Sequence, residues 1–148
     1  MKRKHLIGIF ILLIILAGAY ILSPFSPMNK VSVNGETIKL SSGYTVEEST
    51  EKIMTISNKT NQINITAESQ TENMDDVITQ HKNMLENYTF SQTPLTVGKK
   101  NVTKLEATNN DTVITNYYFE HKNVIYNIET KNADNNTENV IKDLISSI

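Results

Sequence analysis

Leu6 to Leu22 is a run of 17 residues without a charge, dominated by Ile and Leu, and it divides the chain before anything else does. A helix of that length reaches about 25 Å at ~1.5 Å per residue, a little short of the roughly 30 Å hydrocarbon core of a bilayer. Met1-Lys2-Arg3-Lys4-His5 forms a basic cap in front of it, and Tyr20 near its far end suits the membrane interface. The expectation is a single-pass signal anchor over residues 6–22 in the lipid bilayer, with residues 1–5 cytoplasmic and the rest of the chain outside the cell. Ala17-Gly18-Ala19 also has the small-x-small form of a signal-peptidase site, so a secreted form cleaved near Ala19 stands beside it. Ser23-Pro24-Phe25-Ser26-Pro27 stops any helix, because proline fixes φ and has no N–H to donate. Residues 23–30 therefore read as a linker and 31–148 as the folded domain.

A domain of that size buries roughly two-thirds of the surface its unfolded chain exposes, enough for one core without staples. The chain has no cysteine, which excludes disulfides, thiolate metal sites and a cysteine nucleophile. The net charge is −2, and removing the +3 of Lys2, Arg3 and Lys4 leaves −5 on residues 23–148. A domain of that sign repels a phosphate backbone, so no nucleic-acid partner is expected.

Apolar alternation then sets the elements. Val31 and Val33, the Asn34-Gly35 turn, then Ile38 and Leu40 read as a hairpin. Lys52–Ser57 and Ile63–Ala67 read as strands, the second with one polar face. At Met74 the period changes. Met74, Val77, Ile78, His81, Met84, Leu85 and Tyr88 form a helical stripe, with Asn73 as N-cap and Asp75 and Asp76 at the positive end of the helix dipole. A strand at Asn101–Ala107 follows a turn near Gly98. Thr112–Glu120 and Val124–Thr130 make a hairpin around His121-Lys122, and a last helix carries Val140, Ile141, Leu144, Ile145 and Ile148 on one stripe. The expected class is α+β: one antiparallel sheet with two amphipathic helices, in the order β-β-β-β-α-β-β-β-α.

Val33-Asn34-Gly35, leading through Ile38-Lys39-Leu40-Ser41-Ser42 to Gly43-Tyr44, resembles the opening of Mog1/PsbP-like domains. The closing hairpin and C-terminal helix ending at Ile145-Ser146-Ser147-Ile148 are similar to theirs as well. The family's usual proline before the Gly-aromatic pair is Ser42 here. The resemblance implies an antiparallel sheet with helices against it, in a group of mostly non-enzymatic accessory proteins of membranes or larger complexes. None of the family's partner-binding residues maps onto this chain.

His81 is the one candidate for metal or acid-base chemistry, since it interrupts an apolar helical stripe. Its ordinary reading is a core-edge histidine with one hydrogen bond. Asp75 and Asp76 are six and five residues away and do not face it. His121 reads as solvated, and Glu47-Glu48 and Asp75-Asp76 as surface, because adjacent side chains diverge. No calcium loop, phosphate loop, nucleophile elbow or zinc helix occurs, so no catalytic residue, cofactor or metal is expected. Tyr118 points away from Tyr117 and Phe119, either exposed as a binding surface or covered by a helix. Asn58, Asn64, Asn87, Asn101, Asn110 and Asn135 head Asn-x-Ser/Thr triplets, glycan acceptors in a cell that modifies them. The function expected is a non-enzymatic envelope module that binds an envelope protein or polymer. The alternative is a small-ligand or metal sensor with a pocket near His81.

Overall fold

The computed structural model describes residues 30–68 and 73–148. Nine strands and two helices follow one another: β1 Lys30–Val33, β2 Glu36–Lys39, β3 Thr45–Ser49, β4 Ile53–Ser57, β5 Gln62–Ala67, α1 Met74–Met84, β6 Thr89–Val97, β7 Lys100–Asn109, β8 Thr112–His121, β9 Val124–Lys131 and α2 Asn135–Ser147. Seven strands form one antiparallel sheet in the order β3-β4-β5-β9-β8-β7-β6, and β1 and β2 form a separate two-stranded ribbon.

This corrects the expected α+β class. Strand accounts for 53% of the described residues, the helices have 11 and 13 residues, and the order is five strands, helix, four strands, helix. The two extra strands, β3 and β6, are the two edges of the sheet. An edge strand has neighbours on one side only, so it needs little of the apolar alternation that betrays a central strand. β3 is exposed throughout and β6 over its first six residues. The transmembrane, single-pass expectation is corrected too: no helix among the described residues is long and apolar enough to cross a membrane. The expected anchor at residues 6–22 and the cleavage site near Ala19 lie outside the described residues.

Local chemistry explains the joints. Asn34 and Gly35 both take positive φ, as do Lys122 and Asn123, which makes both connections primed two-residue turns matched to strand twist. The second turn sits one residue beyond the expected His121-Lys122, and His121 ends β8. Asn73 caps α1 by accepting from the Asp76 amide at 2.9 Å. Asp134 caps α2, accepting from the amide and hydroxyl of Thr137 at 2.7 Å each. α1 stops at Met84, short of the expected Tyr88, with Leu85 as its C-cap.

The larger core lies on one face of the sheet. Met54, Ile56, Ile63, Ile65, Phe119, Tyr126 and Ile128 meet Ile141, Leu144 and Ile145 of α2, with Val33 and Ile38 of the ribbon closing one side. Each of these side chains contributes roughly 1.5–3 kcal/mol by leaving water. Phe119 and Tyr126 stack at 5.4 Å. At the rim, Lys104 Nζ lies 2.9 Å from Glu138 Oε1 and 3.0 Å from Glu106 Oε1. Burial works against that ammonium, but its carboxylate hydrogen bonds outweigh the penalty and hold it above its usual range.

Candidate functional site

The opposite face is the one that carries polar chemistry. Side chains alternate along a strand, so residues in register share a face. Leu105 of β7 lies opposite Asn116 of β8, Asn116 opposite Glu129 of β9, and Glu129 opposite Asn64 of β5. In the next row Thr103, Tyr118, Asn127 and Thr66 stand side by side. A small apolar cluster of Val77, Ile78, Leu105, Tyr118 and Ile125, with Met74 beside it, seats α1 on this face.

α1 brings the two residues singled out from the sequence together. His81 Nδ1 and the Tyr118 hydroxyl share a 2.7 Å hydrogen bond, and their rings lie 5.6 Å apart. Tyr118 is fully buried, so it lies beneath the helix and presents no exposed ring. Burial, together with the charges of Glu129 and Glu68, holds its phenol well above the usual tyrosine range, so it stays protonated as a donor. His81 Nε2 is 3.9 Å from Glu68 Oε1, and the His81 side chain keeps 26% of its exposure. The Nε2–H tautomer fits both neighbours: Nδ1 accepts from Tyr118 and the ring N–H faces the carboxylate. Glu68, which the sequence marks only as part of the polar face of this strand, follows β5 and is fixed by its amide bonding to the Ile125 carbonyl at 2.7 Å. Its position beside His81 depends on pairing between β5 and β9, which no local pattern announces.

Two further residues were missed. Asn116 and Asn127 are 2% and 5% exposed, and the side-chain carbonyl of each has no hydrogen-bond partner. An unpaired buried amide costs about 1–3 kcal/mol. Glu129, half-buried between Asn64 and Asn116, accepts weakly from Asn64 Nδ2 at 3.5 Å. The only sequence sign of this row was polar residues alternating against apolar ones in β8 and β9, which reads equally as a solvated face.

The remaining candidates lie elsewhere. His121 Nε2 stands 3.8 Å from Glu36 Oε1, and Lys122 donates to the same oxygen at 2.7 Å. The Lys122 hydrogen bond holds the Glu36 carboxyl below its usual range. This trio pins the ribbon to the β8–β9 turn, beside an open depression of about 700 Å³ lined by His121 and Lys122 together with Lys99, Lys100 and Glu120. Among the described residues its ion pairs are those of Glu36 with Lys122 and His121. Asp75 and Asp76 are exposed on α1, and Glu47 and Glu48 on β3. Among the sequons, Asn87, Asn101, Asn110 and Asn135 are exposed. Asn58 is half-buried and closes its own turn by accepting from the Thr60 and Asn61 amides, and Asn64 is half-buried on the polar face. Among the described residues no group of three or more His, Cys, Asp or Glu could hold a metal ion. Beyond Glu68, His81 gathers no second such partner.

No family model matches the chain, and no curated protein matches it. Solved structures similar to it include a Bacteroides thetaiotaomicron protein, at 14% identity and a TM-score of 0.49. The match covers 80% of this chain and 47% of that one, so this chain spans about half its length. Another is PA94 of Pseudomonas aeruginosa, a protein of unknown function, at 7% identity and a TM-score of 0.42, covering 80% of this chain and 94% of that one. Likeness at this level carries no functional argument, and function rests on the residues.

Proposed function

We propose that the chain is a non-enzymatic binding domain of the cell envelope whose recognition site is the polar sheet face beside α1. The observation that carries this reading is the His81–Tyr118 hydrogen bond. It joins a half-exposed imidazole to a buried phenol at the edge of a row of polar residues that packing alone does not call for. Tyr118, buried beneath the helix, and His81 at the helix edge are thereby joined in one place. A hydrolytic or transfer site would need an activated nucleophile as well as a base. Glu68 and Tyr118 orient His81, and among the described residues no serine, threonine or lysine bonds to it. The basic cap and apolar run of residues 1–22 support export of the domain. The resemblance to Mog1/PsbP-like domains agrees with an accessory role, and the buried Tyr44 after a Gly43 of positive φ suits its Gly-aromatic corner.

A thermal-shift screen of small ligands, divalent metals and envelope-polymer fragments tests this. A ligand that raises Tm is expected to lose most of its effect in His81→Ala. Equal rises in both proteins would place recognition elsewhere.

A further inference from the structure

We infer that the polar face takes a compact N–H-rich cation, an ammonium or guanidinium group, held by the carboxylates of Glu68 and Glu129 and the side-chain carbonyls of Asn116 and Asn127. This rests on the binding reading above and names its ligand class.

Three observations lead there. First, Asn116 and Asn127 are more than nine-tenths buried and their carbonyl oxygens are unpaired. Apolar side chains of similar size would suit a core that had only to be filled, and they would carry no desolvation cost. As placed, each carbonyl oxygen lacks a donor from the chain itself. Second, the sign of that partner is set by the neighbours. Glu129 stands in register with Asn116, and Glu68 lies beyond the Thr66–Asn127 pair at the end of β5. Glu129 shares the sheet face of Tyr118, and both carboxylates help to raise its phenol. Neither is answered by a lysine or arginine in any ion pair among the described residues, whereas Glu36, Glu106 and Glu138 each are. Third, His81 and Tyr118 spend their facing groups on each other, and the remaining ring N–H points at Glu68. The site therefore offers acceptors and negative charge to a newcomer. Metal ions fit it less well, since among the described residues no group of three or more His, Cys, Asp or Glu gathers there. Hydrogen bonds between charged donors and acceptors are the stronger kind, and the negative domain adds a favourable field.

The test is a titration of the isotope-labelled full chain, in a non-ionic maltoside detergent, with methylguanidinium and methylammonium chloride. The readout is the backbone and side-chain amide NMR signals. Saturable shifts confined to Asn116, Asn127, Glu129 and His81, produced by either cation and not by sodium chloride of equal strength, would support the inference. Which of the two binds tighter separates guanidinium from ammonium recognition. Glu129→Gln, which keeps shape and hydrogen bonding, is expected to weaken binding by about tenfold, the scale of one charge-assisted hydrogen bond. Asn127→Leu, which leaves both carboxylates in place, is expected to weaken it similarly. Unchanged affinity in both variants, with the amide spectrum otherwise native, overturns the proposal. So does saturation by calcium alone. Shifts at His81 caused by acetate or a neutral sugar and by neither cation would overturn this inference and leave the binding reading standing. Silence towards every class of probe would count against both.

Discussion

The two faces of the seven-stranded sheet share the same strands yet are built on opposite terms. Under α2, β4, β5, β8 and β9 present Met54, Ile56, Ile63, Ile65, Phe119, Tyr126 and Ile128, all buried and apolar. Under and beside α1, three of those strands present Asn64, Asn116, Tyr118, Asn127 and Glu129. One face is paid for by area removed from water, about 25 cal/mol per Å². The other withdraws amides from water without pairing them, which a fold keeps only where something else is gained. The contrast teaches where stability ends and recognition begins in a sheet with a helix on each side.

The largest expected effect breaks the first face. Leu144→Ala, at a fully buried position of α2, should cost about 2–5 kcal/mol in urea denaturation, because a cavity is added to the lost transfer energy. The second prediction inverts the sign on the other face. Asn127→Leu should leave stability unchanged or raise it by about 1 kcal/mol, since it removes an unpaired buried amide. A loss above that size would mean the amide is satisfied and the contrast between the faces is false.

Tyr118→Phe comes next. It keeps the ring and removes only the hydroxyl bonded to His81, so a cost of about 1 kcal/mol is expected by thermal or chemical unfolding.

The Glu138–Lys104 pair sharpens the rim of the apolar face. The Lys104 hydrogen bond holds the Glu138 carboxyl below its ordinary value of 4.5. The folded value is the lower one, so the pair stabilises above the ordinary carboxylate range and that gain is lost as pH falls through the folded value. The advantage of the native protein over Glu138→Gln should be about 1 kcal/mol or less at neutral pH and should vanish in acid, as measured by unfolding across a pH series.

The smallest effect on stability, within about 0.5 kcal/mol, is expected for Pro94→Val. Pro94 lies in the edge strand β6, paired with Thr103 of β7. The two-residue turn at Gly98-Lys99 makes Val97 and Lys100 a hydrogen-bonded pair, so alternation places residue 94 with its backbone groups turned outward. A proline there withholds an N–H from any incoming strand. The variant should instead show concentration-dependent association in sedimentation.

Much of the central sheet could be read in advance. Ile63-Ile65-Ala67, Tyr117-Phe119 and Val124-Tyr126-Ile128 alternate against polar neighbours, and alternation survives any tertiary context that leaves one face buried. The edges could not. Thr45–Ser49 carries Glu47 and Glu48, and Thr89–Val97 carries Pro94, and each is a strand only because a partner is present to pair with it. Likewise the helix at Met74 was legible from its stripe, but its last turn was not, because Leu85 and Tyr88 continue the apolar spacing after the backbone has left the helix.

The sequence by itself determined the primed turns at Asn34-Gly35 and near Lys122-Asn123, the cap at Asn73, the stripe of α2 and the absence of thiol chemistry. These follow from local backbone preference and side-chain type, which need no distant partner. Only the tertiary structure decided that Glu68 and Tyr118 meet His81, that Asn116 and Asn127 are buried without partners, and that β3 and β6 are strands at all. Each of those depends on register between segments far apart in the chain, and a shift of one residue in pairing would turn every side chain concerned to the other face.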